Sequence, residues 1–264
     1  MTTSDLATLI NGISGQHVVA YFLVLSRITP LFIVAPVFSS PQMIPRVRTV
    51  LALALAFGLT PLAAHGVKVP ADALTLAGML LEGFIIGFAL AYAIACMFAA
   101  VQSAGILSDS LSGFSYGSTV DPVNGNPGGS LANLYGMIGM GLFLAIGGDA
   151  WTLRGLAATF RAIPINRGPK VTSLVAGAGA AFSQVMLGAV EIAAPVLLAV
   201  IVTDVAFGMV SKVVPQLNIF AVGFPFKVGI ALIVVGISIP FLGGWMNNQL
   251  ADSVGSAVNS LVHA

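Results

Sequence analysis

The stretch LTLAGMLLEGFIIGFALAYAIACMFAAVQSAGIL, Leu74 to Leu107, decides the fold class, and Glu82 is its single charged residue. A helix of about 20 apolar residues crosses the hydrocarbon core of a bilayer, and this stretch exceeds that length. A membrane β-strand would alternate apolar and polar residues over about ten positions, which this stretch does not do. It therefore predicts a membrane helix that tilts or extends beyond the bilayer.

The rest of the chain has the same character. Ten of its 264 residues are Lys or Arg, nine are Asp or Glu, 58% are hydrophobic, and the mean hydropathy is +1.02. Charged residues make up 7% of the chain, against about a quarter in a soluble domain. The net charge of +1, without a basic stripe, argues against a nucleic-acid partner. We expect an all-α membrane protein.

Five further apolar segments accompany the first, which makes six in all. They are His17–Phe38, Val47–Ala64, Leu131–Trp151, Val171–Val210 and Ile219–Met246. A basic connector is expected before the fifth segment of the chain, with Arg154, Arg161, Arg167 and Lys170. Amphipathic helices are expected over residues 4–14 and in the tail, where apolar residues recur every three or four positions: Met246, Leu250, Val254, Ala257 and Leu261.

Helix-breaking residues lie inside these segments. Five prolines interrupt apolar runs: Pro30, Pro36, Pro195, Pro225 and Pro240. Broken helices at membrane depth need neighbouring protein or water to satisfy the freed backbone groups, so we expect bent hairpins within a helix assembly. Gly83 and Gly87 form a GxxxG step, which is typical of close helix contacts.

Charged residues inside apolar runs are costly in hydrocarbon and therefore indicate a role. They are Arg27, Glu82, Glu191, Asp204 and Lys227. One interpretation is buried pairing, for example of Lys227 with an acid on the preceding segment, or snorkelling at a helix end. The others are a proton or ion path and contacts with neighbouring subunits. Asp149 could be a lone intramembrane carboxylate, but we expect it to cap a segment end beside Trp151 at the membrane interface.

Enzyme and metal signatures are missing from the sequence. It contains no HExxH, GxSxG, Walker-type loop or GxGxxG after a strand, and its three histidines are far apart. The single cysteine, Cys96, has no charged neighbour and is expected to pack as a small apolar residue. No cofactor, no metal and no catalytic residue are expected.

Two stretches carry a family resemblance. SRITPLFIVAPVFSSPQMIPRVRTVLALALA, Ser26 to Ala56, and PQLNIFAVGFPFK, Pro215 to Lys227, closely resemble the FliR family of flagellar export-gate proteins, whose injectisome relatives are the SctT family. The middle agrees, with Ala104-Gly105 ahead of a Gly-rich loop that contains Asp121-Pro122. The resemblance covers essentially the whole chain, and Gly-Phe-Pro before Lys227 looks more like the flagellar branch.

The resemblance implies a structural subunit of an export pore for unfolded flagellar subunits, in the bacterial inner membrane at the flagellar basal body. The implied partners are FliP-like and FliQ-like subunits, an FlhB-like subunit, the exported substrates and the membrane. Residues 1–168 would form a FliP-like part, and residues 169–264 a FliQ-like hairpin with its amphipathic tail.

The family also places a loop of this subunit in the closed pore as a plug, and the matching stretch here is residues 112–129. The expected plug residues are Gly113, Phe114, Ser115, Tyr116, Gly117 and Asp121. Glycines permit backbone shapes that other residues resist, and the absence of Lys and Arg avoids fixed salt bridges to a pore wall. The alternative function is a stand-alone multi-pass transporter of ions or small solutes, in which Glu82, Glu191, Asp204 and Lys227 line a path.

Overall fold

The computed structural model describes residues 15–40, 43–63, 72–114, 129–166, 168–214, 216 and 219–262. All regular secondary structure in this part of the chain is helical, which confirms the expected all-α class. The helices are α1 (Gly15–Val34), α2 (Pro36–Ser39), α3 (Pro45–Ala63), α4 (Ala73–Ser112), α5 (Ser130–Ala145), α6 (Gly148–Ala162), α7 (Val171–Val213) and α8 (Ile219–Val262).

Five of these helices are long and apolar enough to cross a membrane: α1, α3, α4, α7 and α8. Helices α5 and α6 pass the same test only when they are taken together, as a broken span or a re-entrant loop, which makes up to six candidate spans. The described residues therefore confirm about six apolar segments. The amphipathic helix expected over residues 4–14 lies outside the described residues.

Two helix boundaries differ from the expected segments. The first run ends at Val34 because Ala35 adopts the extended backbone that a following proline favours, and Pro36 then begins α2. The fourth run was expected to continue to Trp151, but α5 ends at Ala145 and Gly147 takes a φ of +70°. Gly147 lacks the Cβ that makes this backbone shape costly.

The first part of the basic connector expected between the fourth and fifth segments is helical. Helix α6 occupies residues 148–162 and contains both Arg154 and Arg161. Asp149 lies in its first turn and Arg161 in its last, so each charge complements the helix dipole. The change from apolar to charged residues did not mark the helix boundary here, because α6 is less apolar than α5 and begins inside the expected apolar run, at Gly148.

The chain divides into two compact units, and α4, α7 and α8 contribute residues to both. The first unit comprises the described parts of Met1–Ala95, Asp149–Ala181 and Ala251–Ala264, and the second those of Cys96–Gly148 and Phe182–Leu250. In the first unit α1 packs on α3, and the hydroxyl of Tyr21 donates to the carbonyl of Leu53 at 3.3 Å. Helix α4 begins after Asp72, whose carboxylate accepts hydrogen bonds from the side chain and backbone of Thr75. These bonds lower the pKa of Asp72 below its ordinary value.

The GxxxG step of α4 forms a close contact with α1. A Cβ added at Gly87 would overlap the carbonyl of Arg27, and one added at Gly83 would meet the hydroxyl of Ser26. Without those methyl groups the α4 backbone approaches α1 closely, as the small-residue pattern predicted.

Gly87→Ala is therefore expected to destabilise the protein, whereas Gly78→Ala is not. Both glycines lie on α4, but a Cβ at Gly78 meets nothing within 4 Å. Overpacking a tight contact typically costs about 1–3 kcal/mol. The melting temperatures of the two variants in the purified membrane complex check this, and equal values would show that the α1–α4 contact can relax.

Candidate functional site at the ends of α4 and α5

The candidate site lies in the second unit, where α4 ends and α5 begins. Helix α4 ends at Ser112 and is followed by Gly113 with a φ of +90°, while Gly129 precedes α5 with a φ of +77°. Both values fall in the left-handed region that glycine alone adopts readily. Of the predicted plug residues the structure describes Gly113 and Phe114. Ser115, Tyr116, Gly117 and Asp121 lie outside the described residues.

Asp109 joins the two sides of this junction. It lies on α4, is 3% exposed, and accepts hydrogen bonds from the backbone N–H groups of Leu131 and Ala132, both at 2.9 Å. Its own backbone carbonyl accepts a bond from the N–H of Gly113 at 3.2 Å. A carboxylate at the first turn of a helix is favoured by hydrogen bonding and by the helix dipole, so Asp109 caps α5 from another helix.

Close packing supports this cap on the α5 side. A Cβ added at Gly129 would overlap the carboxylate of Asp109, so only glycine fits there. The side-chain amide of Asn133 donates to the carbonyl of Gly129 at 2.8 Å. A Cβ at Gly105 would overlap the backbone of Ala132. Because glycine lacks that atom, α4 and α5 can approach each other closely at this point.

Sequence reasoning missed Asp109 because its partners are more than 20 residues away along the chain. Two signals were present. An acidic residue one turn before a helix C-terminus is unfavourable for its own helix, so it must be satisfied elsewhere. Helix α5 also begins after glycine, with no capping bond from its own N-cap side chain.

A cavity of about 520 Å³ lies beside the end of α4 in the same unit. One wall is formed by residues 110–113, and the others come from α7 and α8: Asp204, Phe207, Gly208, Gly223, Phe224 and Lys227. The ammonium of Lys227 forms an ion pair with the carboxylate of Asp204, and the two side chains are 26% and 49% exposed. The structure thus places three predicted residues, Gly113, Asp204 and Lys227, around one cavity.

Glu191 lies elsewhere in the second unit. Its carboxylate accepts a hydrogen bond from the indole N–H of Trp245 at 2.9 Å, which links α7 to α8. A Cβ at Gly188 would overlap the Trp245 ring, so this glycine makes room for the indole. Glu191 and Asp204 therefore have different partners on α8.

Arg27 and Glu82 belong to the first unit. Arg27 is 1% exposed, and its Nη1 donates to the carbonyls of Thr159 and Ile163 at 3.2 and 2.8 Å. Its guanidinium also lies 4.6 Å from the ring centroid of Phe160. The arginine thus binds the C-terminal end of α6, where a positive charge is favourable, and stacks on an aromatic ring.

The carboxylate of Glu82 lies against Gly168, where an added Cβ would meet it. Among the described residues no three His, Cys, Asp or Glu side chains come together as a metal site would require.

Comparison with known proteins gives the family. The profile of "Bacterial export proteins, family 1" matches residues 18–253. Flagellar biosynthetic protein FliR of Escherichia coli K12 is 28% identical over 233 residues, which cover 88% of each chain. Surface presentation of antigens protein SpaR of Salmonella typhimurium is 26% identical over 212 residues, 80% of this chain and 79% of that one. FliR of Bacillus subtilis is 26% identical over 225 residues, 82% of this chain and 84% of that one. The chain is a membrane-embedded member of family 1 of the bacterial export proteins.

Proposed function

We propose that this chain is a structural, non-enzymatic subunit of the flagellar type III export gate in the bacterial inner membrane, at the flagellar basal body. It forms part of the pore for unfolded flagellar subunits, together with FliP-like and FliQ-like subunits and an FlhB-like subunit. The family match over residues 18–253 carries this proposal, and the similarity to two flagellar biosynthetic proteins supports the flagellar branch.

The proposed division into a FliP-like part, residues 1–168, and a FliQ-like hairpin, residues 169–264, is supported by the contacts between α7 and α8. The Lys227–Asp204 ion pair and the Trp245–Glu191 hydrogen bond both join these two helices. Two long apolar helices tied to each other in this way have the features of one hairpin.

The proposed plug comprises residues 112–129. The proposal is supported by two glycines with left-handed backbone angles. Gly113 directly follows α4, and Gly129 directly precedes α5. Phe114 follows directly as a large apolar side chain for filling a lumen. A glycine-rich sequence lets the backbone change its shape, which a seal that must later admit a polypeptide requires.

A stand-alone transporter remains the second candidate, because an ion pair lines a cavity among apolar helices. The two candidates differ in what the chain does alone. A transporter subunit moves ions or solutes in liposomes that contain no other protein, whereas a gate subunit does not.

Affinity purification from the native membrane tests the proposed function. We expect the tagged chain to co-purify with FliP-like and FliQ-like proteins in a stable complex. Expressed without them, it is expected to aggregate in detergent, because charged groups inside apolar helices need protein neighbours. A monodisperse chain that gives ion flux alone in liposomes would instead support the transporter.

A further inference from the structure

Tyr135 on α5 carries a buried hydroxyl group that none of the described residues binds directly. The residue is 1% exposed, and its hydroxyl oxygen has no hydrogen-bond partner in the part of the chain that the structure describes. Buried tyrosine hydroxyls are normally hydrogen-bonded, because an unsatisfied polar group inside a protein is costly. The position of this oxygen therefore indicates a partner other than a directly bonded side chain.

Two serine hydroxyls, from two other helices, are the polar neighbours of this oxygen. Ser108 lies on α4 and Ser238 on α8, and both interact with the Tyr135 hydroxyl, although neither meets the geometry of a direct hydrogen bond. The two serines are themselves buried, with 0% and 8% exposure. All three residues belong to the second unit, so α4, α5 and α8 each bring one hydroxyl group to the same place.

The protons of both serine hydroxyls are already in use. Ser108 Oγ donates to the carbonyl of Ala104 at 2.8 Å, and Ser238 Oγ donates to the carbonyl of Val235 at 3.0 Å. A hydroxyl group has one proton and two lone pairs, so each serine can only accept a further hydrogen bond. The three groups together thus offer one donor, on Tyr135, and two acceptors.

We propose that a buried water molecule binds among these three hydroxyl groups. It accepts a hydrogen bond from Tyr135 and donates one each to Ser108 and Ser238, which uses both of its protons. Buried waters typically make about three hydrogen bonds to polar groups that would otherwise be unsatisfied. The water links α8 to the two helices whose ends form the candidate site, and this inference does not rest on the proposed function.

Tyr135→Phe removes only the hydroxyl group, and the sign of its effect separates a bound water from an unsatisfied hydroxyl. If the water binds, the variant loses a hydrogen bond, and the melting temperature of the purified membrane complex should fall by about 2–4 °C. If the hydroxyl is unsatisfied, its removal should instead raise the melting temperature.

Ser108→Ala and Ser238→Ala test whether one site joins all three hydroxyl groups. Because the water contacts both serines, the effects of these two changes on the melting temperature should be non-additive, and each should be non-additive with Tyr135→Phe. A direct bond from Tyr135 to one serine predicts coupling with that serine alone. Ser110→Ala is the matched control, because Ser110 donates to a carbonyl of its own helix as Ser108 does but is exposed, so its effect should be additive.

Electron cryo-microscopy of the assembled complex, at a resolution that shows ordered water, reads the site in the unaltered chain. We expect a density peak within hydrogen-bond distance of all three hydroxyl oxygens, and loss of that peak in the Tyr135→Phe complex. A map without the peak, or with Tyr135 bonded directly to a serine, overturns the proposal. A higher melting temperature with Tyr135→Phe, or additive effects of the two serine changes, overturns it as well.

Discussion

Lys227→Ala is expected to reduce recovery of the assembled complex, and Asp204→Ala is expected to do the same. The two side chains form an ion pair between α7 and α8, both of which have the length and hydropathy of membrane spans. Removing one partner leaves the other charge unpaired. The two side chains are 26% and 49% exposed, so the cost is expected to lie between that of a surface pair, about 0.2–1 kcal/mol, and that of a buried pair, about 3–5 kcal/mol.

The double variant distinguishes a charge effect from a shape effect. Lys227→Ala combined with Asp204→Ala leaves no unpaired charge, so complex recovery should rise above that of either single variant. Lys212→Ala is the matched control, because Lys212 is exposed in the last turn of α7. The yield of co-purified FliP-like and FliQ-like proteins is the measurement. Normal yield with Lys227→Ala would show that the pair contributes nothing to assembly.

The sequence alone predicted the long helices but not which acid Lys227 would bind. The run around Leu74–Leu107 required a long helix because hydrocarbon leaves the backbone few alternatives. Glu191 and Asp204 both lie on the apolar run that precedes the run with Lys227. The periodicity of the sequence could not show which of the two acids is its partner. The structure assigns Asp204 to Lys227 and gives Glu191 the indole N–H of Trp245.

Contacts distant along the chain were the least predictable. Arg27 was expected to have a charged partner, to snorkel, to line a proton or ion path or to contact another subunit. The structure shows that it binds backbone carbonyls at the end of α6, more than 130 residues away. Asp109 was not singled out, although its charge opposes the dipole of its own helix. Both side chains form hydrogen bonds with backbone groups at the end of another helix. Such partners come close to each other only when the chain has folded, so the sequence does not show them.

The positions of helix breaks were predicted only in part. The chain breaks at Ala35, directly before Pro36, and also at Gly147, where no proline indicated a break. The other four prolines stay inside helices: Pro30, Pro195, Pro225 and Pro240. A proline inside a membrane helix is tolerated where neighbours satisfy the freed carbonyl, and that depends on packing. The GxxxG step at Gly83 and Gly87 was located correctly, but its partner, α1, was known only from the structure.

Deleting Gly113–Gly117 is expected to leave the complex assembled and to make it permeable to small ions. The deletion removes residues between α4 and α5. It leaves in place the close contact between those two helices at Gly105 and Ala132. Assembly should therefore survive, while the proposed plug loses Phe114 and the residues that follow it. A bulky substitution at Gly117 is expected to act in the opposite direction, slowing export by hindering movement of the segment.

The measurement that tests the central claim is ion conductance across membranes that hold the assembled complex, with the parent chain and with the Gly113–Gly117 deletion in parallel. The parent complex should be tight, and the deletion complex, at equal amounts of co-purified FliP-like and FliQ-like proteins, should conduct at the level of an open pore. If the deletion complex assembles and stays as tight as the parent, this segment is not the seal of the pore.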